Sequence, residues 1–245
     1  CASHVAGLEL SRPVAPIIFA SKKALEGSGI DTIVKDYSTF NHVILWIDNY
    51  RHTTVTEEEI GLVRRLIHRL DEGGANVESL YGGYLLILSA HDGLDGISHG
   101  ILYTESKSME LTPGSGGPPD RYYIPQFHEF RSMAQTDLIF HRHPELMRDC
   151  DVCRKTLAGN PDNIILYYDN PELLRGHFLS VRRSEADRIG SSSLAEEVAA
   201  LRSTYATYHS SIVELPNPDA FVRASNMRGL DYLNEWANAF SPRAT

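Results

Sequence analysis

His42–Asp48 reads HVILWID, and its reading decides the fold. Val43, Leu45 and Ile47 fall on one side of an extended chain, and His42, Ile44, Trp46 and Asp48 fall on the other. That period of two marks a strand, here ending on a carboxylate. Beyond it, Thr56 with Glu59 makes a capping box. Ile60, Val63, Leu66, Ile67 and Leu70 then keep helical spacing until Gly73-Gly74 stops the run. A strand followed by an amphipathic helix is one βα unit.

Working outward, the same alternation recurs. Val14–Ala20 (VAPIIFA) is an earlier strand, with Val5–Leu10 as the end of a preceding unit, and Asp31–Phe40 offers a short helix. Val77–Tyr81 restarts a strand that Gly82-Gly83 breaks, and Tyr84–Ala90 is apolar enough for a short buried helix. Ile97–Glu105 (ISHGILYTE) closes the series, with His99, Tyr103 and Glu105 on one face. Strands and helices alternating in this way predict a parallel sheet, and four units are half of an eight-stranded barrel. The expected fold is therefore α/β. The C-terminal half of a (β/α)8 TIM-like barrel spans 1–126, a zinc-binding subdomain spans 127–190, and a helical tail spans 191–245. The chain opens on Cys1 rather than methionine and reads as the C-terminal part of something longer.

Barrel ligands bind where strands end, so the expected binding groups are Asp48, the Tyr81-Gly82-Gly83 turn and Glu105. A glycine pair terminates a strand and also lets a ligand approach the backbone. For Asp48, a helix cap or a surface ion pair is the competing role. Leu111–Asp120 (LTPGSGGPPD) is a loop, either a lid over the strand ends or a tether. Tyr122–Phe127 (YYIPQF) is a short extended segment whose pairing Pro125 limits.

His141–His177 reads HRHPELMRDCDVCRKTLAGNPDNIILYYDNPELLRGH and gathers two of the three cysteines with three histidines. Cys150 and Cys153 form a CxxC, a spacing that lets one turn aim two thiolates at a tetrahedral ion. His177 follows beyond the turn-rich Ala158–Asp162, inside a helix beginning near Pro171. Zinc is the expected cofactor, with a fourth ligand from His143 or His141. His143 is preferred, because Pro144 fixes an extended entry into the knuckle while His141 belongs to the preceding helical pattern. Four protein ligands leave no open position, so the role is structural. A redox pair is the competing role, but no thioredoxin-like strand and helix flank these cysteines.

Farther on, Glu172–Ile189 carries Arg175, Arg182, Arg183 and Arg188 among acidic residues and reads as a solvated helix face. Leu194, Val198, Leu201, Tyr205, Tyr208 and Ile212 form a core or partner stripe, Pro216 and Pro218 end it, and Ala220–Phe240 supplies a last helix. In 245 residues, 42% hydrophobic and 22% charged, no run approaches the 18 apolar residues of a membrane span. The formal charge of −9 argues against a wholesale nucleic-acid coat while leaving room for a local basic groove. Three cysteines make no secreted disulfide framework, so a reducing cytoplasm is expected.

Half a βα barrel, a cysteine knuckle and a helix-borne histidine in Gly176-His177-Phe178-Leu179 together resemble the end of the tRNA-guanine transglycosylase family. Cys150, Cys153 and His177 match the last three ligands of that family's CxCxxC-and-histidine pattern, whose first cysteine falls here at Arg148. The resemblance implies a base-exchange glycosyltransferase that replaces guanine by a 7-deazaguanine in tRNA or DNA. It further implies zinc as cofactor, a deazaguanine-type base as ligand, and a homodimer as the candidate assembly. Asp48 would recognise the base, with Tyr81, Gly82 and Gly83 shaping its pocket, and the nucleophile would be Asp95 or Glu105. The family's aspartate, proline and arginine pattern around its nucleophile is absent here. Two rival readings are a barrel hydrolase or lyase pairing His99 with Glu105, and a non-catalytic relative that binds a nucleic acid or a protein.

Overall fold

A computed structural model of the chain describes residues 14–98, 120–147, 150–168, 170–219 and 226–241. These divide into two compact units, one holding residues 14–98 and 238–241, the other the described residues from 120 to 237.

The first unit is built on a four-stranded parallel sheet of order β1-β2-β3-β4, comprising β1 (Ile17–Ala20), β2 (His42–Ile47), β3 (Asn76–Leu80) and β4 (Leu94–Ser98). Helices α1 (Gly29–Tyr37), α2 (Glu57–Glu72) and α3 (Gly83–Leu88) connect them. Thr56 accepts from the Glu59 N–H while the Glu59 carboxylate accepts from the Thr56 N–H, which completes the expected capping box. Ile60, Val63, Leu66, Ile67 and Leu70 are all buried, and α2 packs along β3 and β4. Burying five such side chains contributes roughly 10 kcal/mol of transfer free energy. The covered face of the sheet carries Ile18, Ala20, Val43, Leu45, Ile47 and Val77. On the opposite face Ile17 and Phe19 are 54% and 40% exposed, and Phe19, Trp46 and Tyr81 form a row of ring contacts at 5.1 and 5.8 Å.

A parallel α/β sheet is thus present, and its described part ends at Ser98. The fourth strand begins at Leu94, three positions before the expected start, because the turn at Gly93 (φ 96) releases the chain earlier. His99, Glu105, Val5–Leu10 and all but the last residue of the Leu111–Asp120 loop lie outside the described residues.

The second unit opens with an antiparallel hairpin of β5 (Arg121–Ile124) and β6 (Glu129–Ser132). Pro125 forms its turn rather than limiting its pairing, with the Phe127 N–H on the Ile124 carbonyl and the His128 N–H on the Pro125 carbonyl. The boundary expected at residue 126 falls inside this turn. Helices α4 (Met133–Arg142), α5 (Asp151–Thr156), α6 (Pro171–Ile189), α7 (Leu194–Val213) and α8 (Asp231–Phe240) follow, the last of them counted with the first unit from Asn238 on. Of the helix expected from Ala220, residues 220–225 lie outside the described residues, Asn226 bridges to Pro216 and the Met227 N–H bonds the Leu215 carbonyl, and α8 starts at Asp231. α6 also departs from a solvated face, since Arg182 and Glu185 are buried and paired at 3.0 Å.

Candidate metal centre

Cys150 is the N-cap of α5. Its backbone is extended and its sulfur accepts from the Cys153 N–H at 3.3 Å. That geometry turns both sulfurs of the CxxC to one side of the helix start. Gly176 faces α5, where a Cβ would be in ordinary contact with Val152 Cγ2 at 3.4 Å. The next residue, His177, is fully buried and points its Nδ1 at both sulfurs, 3.5 Å from Cys150 Sγ and 3.0 Å from Cys153 Sγ. The three ligand atoms lie within 4.8 Å of one another, and among the described residues this is the one such His, Cys, Asp or Glu cluster.

The rest of the environment suits an ion. His177 Nε2 lies 2.7 Å from the Tyr123 carbonyl, which can only accept. The imidazole therefore carries a proton on Nε2 and turns Nδ1 to the sulfurs. In its neutral form it would offer a metal-binding lone pair there, with the ring oriented as metal-binding histidines are. The hydrogen bond from Cys153, helped by His177 and the Cys153 N–H, brings the Cys150 thiol down to about 4 against the effect of burial. The same bond to Cys150, together with burial, pushes the Cys153 thiol up. The two thiols are thus shifted in opposite directions, and a cation beside them would favour the thiolate form of both. An open cleft of about 600 Å³, lined by Pro144, Met147, Cys153, Arg154 and Leu157, borders the site on the Cys153 side.

The expected fourth ligand is placed elsewhere. His143 Nε2 bonds Ser211 Oγ at 2.7 Å and its Nδ1 faces Glu145 at 3.2 Å, so both nitrogens are engaged away from the cysteines. His141 is likewise taken, by Asp162 and by the Asp137 carbonyl, each at 2.9 Å. The proline after His143 opens a short 3-10 turn over Pro144–Leu146 and leaves the imidazole facing α7. Tyrosines that the motif could not reveal stand in the vicinity. The Tyr122 hydroxyl lies 3.1 Å from Cys153 Sγ and 3.4 Å from His177 Nδ1, and the Tyr167 hydroxyl donates to Cys153 Sγ at 3.5 Å. The sequence shows Tyr122-Tyr123 as adjacent aromatics with polar tips, but no spacing ties either to the CxxC.

In the first unit the expected rim is part-assembled. Asp48 and Tyr81 directly follow β2 and β3, and the pairing of Leu45 with Ser79 carries both strands out over the same edge. The turns there are left-handed at Asn49 (φ 48), Tyr81 (φ 68), Gly82 (φ 115) and Gly83 (φ 58). For an aromatic residue such as Tyr81 this conformation costs on the order of 1–3 kcal/mol. The Tyr81 N–H, bonded to the Ser98 carbonyl at 2.6 Å, helps hold it. Asp95, expected as a nucleophile, sits instead at the start of β4. Its carboxylate accepts from the Val77 N–H at 2.8 Å, where the β3–β4 register shifts. Because the strands run parallel, that is the edge opposite to Asp48 and Tyr81, and the carboxylate is occupied in closing a bulge.

The fold and site define an α/β chain with a buried Cys-Cys-His metal-type cluster in its second unit. Compared with family models, curated proteins and solved structures, the chain matches none of them.

Proposed function

We propose that the second unit is a structural zinc module in which Cys150, Cys153 and His177 hold the ion. The observation that carries this reading is the buried meeting of two sulfurs with an imidazole whose other nitrogen is fixed by the Tyr123 carbonyl. Thiolates with imidazole favour zinc over magnesium or calcium, which prefer oxygen. Bound there, the ion ties α5 to α6 and to the hairpin, and supplies cohesion rather than chemistry. Metal analysis tests this: about one zinc per chain is expected in the native protein, and it should be lost in Cys153→Ser. Stoichiometric zinc in a Cys150→Ser, Cys153→Ser double variant would remove the site.

For the first unit we propose half of a (β/α)8 barrel serving base exchange, with guanine replaced by a 7-deazaguanine in tRNA or DNA. The support is the parallel order of the strands, the half-exposed apolar sheet face that a closed barrel would cover, and the strained turns gathered at one rim. In this reading Asp48 hydrogen-bonds the base and the backbone of Gly82-Gly83 approaches it. Glu105 is left as the carboxylate that attacks the ribose anomeric carbon. Incorporation of labelled guanine into tRNA and into duplex DNA is the assay. Asp48→Asn should abolish exchange without shifting thermal unfolding, and full exchange in both Asp48→Asn and Glu105→Gln would sink the proposal.

A further inference from the structure

We infer that the phenol oxygen of Tyr122, as phenolate, is the fourth ligand of the Cys150, Cys153 and His177 site. The inference rests on the zinc reading above and adds to it a ligand that no cysteine or histidine spacing contains. With zinc bonds of about 2.3 Å to sulfur and about 2.0–2.1 Å to nitrogen or oxygen, the edges of a tetrahedron around the ion measure roughly 3.3 to 3.8 Å. The Tyr122 oxygen stands 3.1 Å from Cys153 Sγ and 3.4 Å from His177 Nδ1, and Cys150 Sγ stands 3.5 Å from that same nitrogen. With 3.0 Å between Cys153 Sγ and His177 Nδ1 as well, the Tyr122 oxygen lies at or just inside tetrahedral-edge distance of two of the three ligand atoms.

The side chain is held there. Tyr122 is fully buried, its ring stacks on His177 with centroids 4.2 Å apart, and Phe140 and Tyr167 meet it edge-on at 5.4 Å. Tyr167 provides the contrast, because of the three ligand atoms its hydroxyl bonds Cys153 Sγ, at 3.5 Å, and it serves as an outer donor. Two thiolates balance a divalent ion and a phenolate adds one negative charge. The Cys153 N–H and the Tyr167 hydroxyl, both donating to sulfur, spread that charge. On coordination the phenol proton passes to solvent.

The test follows the tyrosinate band in the ultraviolet difference spectrum while a chelator withdraws zinc from the intact protein. Native protein and Tyr167→Phe should each lose about one tyrosinate per zinc removed. Tyr122→Phe should show no such loss and should bind zinc at least about 10-fold more weakly, the least that a partner of the metal's ligands contributes. Zinc bound by the native protein without a tyrosinate signal, or an unchanged signal in Tyr122→Phe, overturns the phenolate ligand and leaves the three-residue site standing. No zinc in the native protein overturns both. The native spectrum decides the matter even if Tyr122→Phe fails to fold.

Discussion

Tyr122 and Tyr123 are neighbours on β5, yet they serve two buried clusters of opposite character. Tyr122 turns to Cys153 Sγ and the His177 imidazole, beside Cys150, in a group of metal-type donors. Tyr123 turns the other way and donates to Glu185, which also meets His128 at 2.8 Å and Arg182 at 3.0 Å. In the second cluster the protein supplies both signs of charge, and the carboxylate is surrounded by donors. In the first, on the zinc reading, a bound ion would supply the positive charge. On the zinc reading, a strand with both faces buried closes one side with its own residues and the other with a metal.

Removing the ion should break this contrast most strongly. Structural zinc binding is worth on the order of 10 kcal/mol, so Cys153→Ser or chelation should abolish cooperative unfolding of the second unit, read by calorimetry. An unchanged transition would mean the Tyr122 side closes itself as the Tyr123 side does. Next in size is Glu185→Gln, which leaves Arg182 buried without its carboxylate and should cost about 3–5 kcal/mol in denaturant unfolding. Zinc content should stay the same, because Glu185 belongs to the other face.

Tyr123→Phe sharpens the comparison further. It removes a hydroxyl donor to Glu185 and should cost about 1.5–3 kcal/mol. Zinc affinity should hold, since His177 is fixed by the backbone carbonyl of Tyr123 rather than by its side chain. A fall in zinc affinity would show the two faces to be coupled.

The smallest effect expected is on pH dependence. Burial holds His128 below its usual pKa, outweighing the pull of Glu185 toward the charged form. Its contribution is therefore full above the unfolded value near pH 6.5 and declines as the pH falls below it, because the unfolded chain takes up the proton first. Burial alone would raise Glu185, yet Arg182 and His128 hold it low. Its contribution is present above about pH 4.3 and is lost in stronger acid. Unfolding temperatures between about pH 7 and 5 should fall less steeply in His128→Gln than in the native protein at saturating zinc. Equal slopes would assign the acid sensitivity to the metal side.

The readings that succeeded were local ones. The alternation in His42–Ile47, the capping box at Thr56 and Glu59, and the CxxC with a helix-borne His177 each depend on residues near one another in the chain or on a known ligand geometry. Those that shifted were decided by distant partners. Arg182 and Glu185 looked like a solvated face because the helix pattern could not reveal Tyr123 and His128 opposite them. Asp95 has the chemistry of a nucleophile, but a neighbouring strand claimed it.

By itself the sequence determined that strands and helices alternate, that α2 has one apolar face, and that two cysteines and His177 can reach one ion. Periodicity and spacing carry this, because they follow from backbone geometry within a few residues. Only the tertiary structure decided that His143 bonds Ser211, 68 residues away, and that Tyr122 stands beside His177, 55 residues away. Such pairings depend on which buried donors and acceptors are brought face to face by packing, and no local pattern encodes that choice.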